Sequence, residues 1–333
     1  MDKNDSRYEA FLRILREELR PATGCTEPIS IAFAAAKAKE LLDGTPETIC
    51  LSLSENVLKN TLGVVIPHTK NLKGVKAAVA AGIVAGRADK QLDVLADVDA
   101  KKEEEILAYL NEADIDIRPS DSVHVFDVDI ALMNEEGKVR VRLLGRHTDI
   151  VLIEKDDETL YERPYRESVL SPEDPRHLLT VEGIVDFADS VDVDDIADLF
   201  RHQIENNRSI AEEGLTHSYG ANVGSVLKTR YGDDVKNLAK AISAAASDAR
   251  MGGSPLPVTI VSGSGNQGIA VSVPLVVFAE HLGVEQERLY RALVVSNLVT
   301  VHQKTGVGCL SAYCGVVFAG AAAGGGIAYL YGG

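Results

Sequence analysis

The sequence predicts an α+β fold: a largely helical core rich in Gly and Ala, with an antiparallel β subdomain. Three observations predict it. Apolar residues recur at helical spacing near the N-terminus and again over most of residues 176–301. Strict alternation is confined to a central stretch, where Phe126, Val128, Ile130 and Leu132 and then Val139, Val141 and Leu143 take every second position. Trp is absent and aromatics are only 5%, while Ala and Gly abound, so the core must pack by close backbone approach rather than through large side chains.

Taken in order, Tyr8, Phe11, Leu12, Leu15 and Leu19 mark a first helix that Pro21 closes. Thr26 is a good N-cap and Pro28 is tolerated in a first turn, so a second helix is expected from about Glu27 to Leu42. Cys50 falls in a strand-like run, Thr48 to Leu53, and reads as core. Lys59-Asn60 and the stretch Val64 to His68 are expected in a loop before a small-residue helix over 75–85. Lys101 to Leu110 reads as a charged, exposed helix. Strands follow at His124 to Leu132, Lys138 to Leu144 and Asp149 to Lys155, with Asn134-Glu-Glu-Gly137 as a hairpin loop. Residues 92–163 are therefore expected as an acidic antiparallel β subdomain, and 1–91 with 164–333 as the helical core. Arg163 to Pro175, with three prolines, is the best linker candidate. Helical patterns then run over 181–187, 193–210, 222–231 and 235–250, and after a glycine-rich turn to Leu282 and from about Glu285 to Val301.

Composition narrows the function. The net charge of −16 leaves no basic face, which argues against nucleic-acid or anionic-membrane partners and for a small-molecule ligand. The N-terminus is polar and acidic and carries no signal peptide, so a cytoplasmic protein is expected. The apolar tail Gly315 to Leu330 is too short and too rich in Gly and Ala for a membrane span. Cys25, Cys50, Cys309 and Cys314 are then reduced, and metal binding or reactivity outranks disulfides. Composition leaves the oligomeric state open, a homo-oligomer included.

The segment Pro257 to Gly268 combines a short apolar strand, small polar residues and a helix start, which together make an anion pocket. Gly263, Gly265 and Gly268 match the dinucleotide fingerprint G-x-G-x-x-G, with Glu285 and Glu287 at about the right distance. Pro274 interrupts the helix that fingerprint needs, and no second parallel strand ends at either glutamate. Ser262, Ser264, Asn266 and Gln267 instead supply a dense set of side-chain donors, suited to a small carboxylate-bearing ligand. A tight turn between buried elements is the competing reading. Cys25 sits just outside a helix N-terminus, where a thiolate is stabilised, against the alternative of a small buried hydrophobe. Lys304 lies between apolar segments, where its pKa can fall far enough for base chemistry, and a lysine snorkelling from a helix end fits as well. No nucleophile elbow G-x-S-x-G and no C-x-x-C pair occur.

Gly24-Cys25-Thr26-Glu27-Pro28, Lys59-Asn60, Asp248 to Gly253, Ser262 to Gly268, Lys304, Leu310-Ser311-Ala312, Cys314-Gly315 and Gly326 to Leu330 occur in that order. Together they resemble the L-cysteine desulfidase family, related to the iron–sulfur L-serine dehydratase α chain, over nearly the whole chain. The resemblance implies a lyase with a [4Fe–4S] cluster that converts L-cysteine to pyruvate, ammonia and sulfide, with L-serine dehydration as the alternative. It implies cluster ligation by Cys25 and Cys314, which should then come together, and gives no role to Cys309. Lys304 would take the Cα proton, with Glu27 the second candidate. Asn60, Ser262, Ser264, Asn266 and Gln267 would hold the amino-acid substrate. Family members continue into a further cysteine-bearing segment where this chain stops at Gly333, so a cluster ligand is expected to be missing. A carboxylate-binding protein without a cluster, and a nicotinamide-dependent oxidoreductase, are the readings from other classes.

Overall fold

In a computed structural model, residues 1–69, 71–165, 174–232, 234–307 and 314–333 are described, and they adopt an α+β fold. Cys309, Leu310, Ser311 and Ala312 lie outside the described residues, as does most of the expected linker. The described residues of 1–22, 174–307 and 314–333 make one compact unit, here the helical unit, and those of 23–165 the other, the sheet unit.

The chain opens in the helical unit with α1 (Ser6–Glu18) and β1 (Arg20–Thr23). Asp5 caps α1 by accepting from the Arg7 backbone N–H, and the Tyr8, Phe11, Leu12 and Leu15 face is buried as the spacing requires. The sheet unit follows with α2 (Thr26–Leu41), β2 (Thr48–Leu53), α3 (Glu55–Thr61), α4 (Gly74–Ala85) and α5 (Ala100–Glu112). Its remaining strands are β3 (Asp114–Pro119), β4 (Asp127–Asn134), β5 (Gly137–Leu144), β6 (Ile150–Lys155) and β7 (Glu158–Glu162). These strands form one six-stranded sheet in the order β3-β2-β4-β5-β6-β7.

The sheet is mixed, not purely antiparallel, because β2 pairs in parallel with β3 across the α3–α5 connection. The described residues of 23–91 fall in the same compact unit as this sheet. The alternation sets the register: Val128, Ile130 and Leu132 face Leu143, Val141 and Val139, and all six are fully buried. The opposite face carries Asp129, Arg140 and Arg142. Cys50 is on that half-exposed face of β2 rather than in the core, since Ile49 and Leu51 take the inward positions. Helix α2 is buried on nearly every side and packs against both the sheet and α4. Gly82 is what lets α4 approach so closely, since a Cβ there would stand 2.3 Å from the Ala32 carbonyl oxygen.

The chain returns to the helical unit through a 3-10 turn (Pro175–Leu178) and continues with α6 (Val181–Ser190), α7 (Val193–Thr216), α8 (Val223–Tyr231) and α9 (Val235–Met251). Then come β8 (Pro257–Ile260), α10 (Gly265–Leu282), α11 (Gln286–Thr305) and α12 (Val316–Leu330). Among the described residues β8 pairs with β1 alone, in a two-stranded sheet, and no parallel βαβ unit surrounds the glycine motif, so the nicotinamide reading loses its scaffold. Pro274 is accommodated inside α10. Among the described residues no helix is long and apolar enough to cross a membrane.

Candidate functional site

In the helical unit the glycine loop is a two-residue hairpin turn running into a helix. Val261 and Ser264 exchange backbone hydrogen bonds of 3.2 and 3.0 Å around Ser262 and Gly263, whose φ values are 50° and 75°. Both central residues are left-handed, as such a turn demands; Gly263 adopts this freely, and Ser262 holds it under strain. The Ser262 N–H donates to Glu18 Oε2 at 2.9 Å. Ser264 caps α10, accepting from the Gln267 backbone N–H at 3.5 Å.

The spacing Ser264-x-x-Gln267 suggests a reciprocal capping box, but the Ser264 N–H already donates to Val261 O. The Gln267 side chain is thereby released. It is buried, its Oε1 has no hydrogen-bond partner among the described residues, and it lies against Gly315, where a Cβ would stand 2.4 Å from Gln267 Cδ. This contact brings the loop to the Cys314-Gly315 motif at the start of α12, where Cys314 itself is exposed. Asn266 Oδ1 accepts from Arg250 at 3.1 Å. Lys304 is half-buried in the last turn of α11, which runs to Thr305, so it belongs to the helix and not to a connection between helices.

In the sheet unit the expected residues gather around one carboxylate. Cys25 is the N-cap of α2, one residue ahead of the cap expected at Thr26. Its thiol donates to Glu27 Oε2 at 3.0 Å, the Thr26 hydroxyl donates to the same oxygen at 3.2 Å, and Asn60 Nδ2 donates to Oε1 at 3.0 Å. Asn60 reaches it from α3, a helix where a loop was expected, because Ser54 begins a helical turn straight after β2. Burial opposes ionisation of Glu27, but the charge of His147 and the hydrogen bonds from Cys25 and Asn60 outweigh it and hold the carboxyl below its ordinary range. A carboxylate so held is a firm acceptor and a poor proton abstractor at neutral pH. Gly24 (φ 68°) lies against Pro67, which seats the loop carrying half-buried His68, whose imidazole burial pushes down.

Two further residues belong to these sites, and pattern reading assigned neither a role. His147 acts on Glu27 from the loop after β5, and its position in the chain gives no signal of that. Arg250 does leave a signal: it lies four residues after buried Ala246 on α9, in register with the apolar stripe, where an arginine is out of place. A cleft lined by Ile204, Arg208, Ile242, Val276 and Glu280 contains none of the expected site residues.

A [4Fe–4S] cluster takes three or four cysteine thiolates. Among the described residues no three His, Cys, Asp or Glu side chains converge as metal ligands, and Cys25 and Cys314 belong to different units. The described side chains therefore do not by themselves make up a cluster's ligand set.

The chain belongs to the serine dehydratase alpha chain family, whose match covers residues 89–333. Its relatives include a UPF0597 protein of Desulfitobacterium hafniense, 50% identical over 333 residues, which are 100% of this chain and 77% of that protein. UPF0597 proteins of Lachnoclostridium phytofermentans (45% identity, 98% of this chain and 78% of the relative) and Treponema denticola (44%, 100% and 79%) are also similar. The family relation that the ordered motifs imply is thus established at the level of the serine dehydratase α chain.

Proposed function

We propose that this protein is a lyase that eliminates sulfide from L-cysteine, giving pyruvate, ammonia and hydrogen sulfide. Membership of the serine dehydratase alpha chain family is the observation that carries the reading, and the motifs shared with desulfidases direct it to cysteine. A base removes the Cα proton, the Cβ–S bond breaks, and hydrosulfide leaves. The resulting aminoacrylate tautomerises and adds water to release pyruvate and ammonia. Lys304 is the proposed base, since Glu27 is held too acidic for that task and is better suited to orienting Cys25 and Asn60. The glycine loop, with Ser262, Ser264, Asn266 and Gln267, would hold the substrate. The family is associated with iron–sulfur clusters, and Cys25 and Cys314 are the proposed thiolates, a set that two cysteines do not complete. Such thiols suit a reducing compartment, so the cytoplasm is the proposed location.

A second reading, dehydration of L-serine by the same elimination, is favoured by the name of the matched family. Protein purified anaerobically and offered each amino acid separately, with pyruvate, ammonia and sulfide measured, decides between them. Sulfide and pyruvate from L-cysteine support the first reading. Pyruvate from L-serine alone supports the second, and no product from either removes both.

A further inference from the structure

Arg250 is 2% exposed, and among the described residues no carboxylate pairs with it. Its hydrogen bonds go to neutral atoms, Asn266 Oδ1 at 3.1 Å and Met251 Sδ at 3.6 Å, and among the described residues its Nε has no partner. The other strongly held arginines differ. Arg140, Arg142 and Arg176 are each more exposed, yet each is bound to carboxylates.

The position of Arg250 makes its lack of an anion more telling. A Cβ on Gly265 would stand 2.2 Å from Arg250 Nε, so the guanidinium lies against the first residue of α10, an 18-residue helix. A helix N-terminus presents unpaired N–H groups and partial positive charge, which repel a cation. An anion that joins a buried guanidinium to that end stabilises both. Gln267, in the same first turn, adds a second buried and unsatisfied polar atom.

We propose that Arg250 is a substrate-binding residue, with its Nε taking up the carboxylate of a small α-amino acid at the first turn of α10 while Asn266 holds the guanidinium in place. This deepens the lyase reading and takes its ligand class from it. A planar guanidinium is the side chain suited to a carboxylate, and Gly265 is what lets the guanidinium reach the first turn of α10.

The test uses L-alanine, which has no β leaving group, and L-alaninamide, which has no carboxylate, titrated into the full chain by calorimetry. Wild type is expected to bind the acid about tenfold more tightly than the amide, as one charge-assisted contact provides. Arg250→Gln should bring that ratio to about one, and Arg250→Lys should keep part of it. Should Arg250→Gln not fold, Gly265→Ala, which puts a methyl group where the guanidinium stands, must lower the same ratio. A merely structural arginine would weaken acid and amide alike. An unchanged ratio in Arg250→Gln, equal binding of both probes by wild type, or binding of neither overturns the assignment. If cysteine or serine is turned over while the ratio ignores Arg250, only this assignment falls. If the ratio depends on Arg250 and neither amino acid is turned over, only the lyase reading falls.

Discussion

Glu27 and Arg250 are both buried charges beside a helix N-terminus, Glu27 in the first turn of α2 and Arg250 reaching from the last turn of α9 to the first residue of α10, and they differ in how completely the chain satisfies them. Glu27 has a thiol, a hydroxyl and an amide donating to its two oxygens, with His147 nearby and the helix end favouring its negative sign. Arg250 has two neutral partners, an unpaired Nε and a helix end that disfavours it. A closed network fixes a local shape. An open one is tolerated where a ligand regularly completes it, so the contrast separates a positioning cluster from a binding cluster.

The largest effect is expected where a buried charge loses its only strong partner. Asp127 is fully buried and accepts from Arg142 Nε and Nη2 at 3.0 and 2.8 Å and from the Ser120 hydroxyl at 2.9 Å. Arg142→Ala leaves that carboxylate uncompensated, and because the arginine is itself 28% exposed we place the loss at the lower end, about 3 kcal/mol. Urea unfolding should show a lowered midpoint with an unchanged slope. A midpoint that does not move would mean water can replace the arginine.

Glu27→Gln comes next, at about 1–3 kcal/mol, because it converts charge-assisted hydrogen bonds into neutral ones and turns an amide towards the Cys25 thiol. Its pH dependence is diagnostic. The folded carboxyl lies below its ordinary value of 4.5, and unfolding returns it there. The contribution is therefore fully present above pH 4.5 and is lost as the pH falls through the folded value. The stability gap between wild type and Glu27→Gln should be constant from pH 7 down to about 5 and close below that. A gap that widens on acidification would show that the carboxyl is raised, not lowered.

Much of this was legible in the chain. The 3.6-residue pattern places α1, α2, α4 and α9 to within a residue or two, and the alternation on either side of Asn134 and Gly137 marks β4 and β5 as a hairpin, with β4 running Asp127–Asn134 where His124 to Leu132 is expected. β3 has no local signal, because Asp114-Ile-Asp-Ile-Arg-Pro alternates with charges and is held by long-range parallel pairing with β2. β7 is exposed throughout and forms only as an edge on β6. At the site, Glu27 and Asn60 were named from separate motifs, but their hydrogen bond spans 33 positions and only the fold could supply it. The glycine loop was found by its small residues. Arg250 escaped because a basic residue in a last helical turn has an ordinary explanation, favourable interaction with the helix C-terminus, and only its register with the buried alanines argues otherwise.

Arg250→Met sharpens the comparison further. It removes a more deeply buried arginine than Arg142, yet leaves no anion behind. Asn266 loses one donor, which costs about 1 kcal/mol, and relief of an uncompensated buried charge offsets it. The net change in unfolding free energy without ligand should stay within about 1 kcal/mol. Urea midpoints of Arg142→Ala and Arg250→Met, measured side by side, check this. Equal destabilisation of both would break the distinction between a closed and an open buried charge.

The smallest effect is expected at Arg208, which among the described residues has as many carboxylate partners as any arginine in the helical unit apart from Arg176. It donates from Nε to Glu212 at 3.1 Å and from Nη1 to Glu280, joining α7 to α10 beside a cleft lined by Ile204 and Val276. All three side chains are more than half exposed, at 53%, 67% and 54%. Water already solvates these charges, salt screens them, and ordering two long side chains offsets much of the Coulomb gain. Arg208→Ala should therefore lower stability by no more than about 0.5 kcal/mol, part of it from the lost stem packing over the cleft. In a thermal scan that is a shift of about 1–2 °C, and it should shrink further in high salt. A drop comparable with that of Arg142→Ala would mean that the number of partners, and not their burial, sets the value of a charge in this protein.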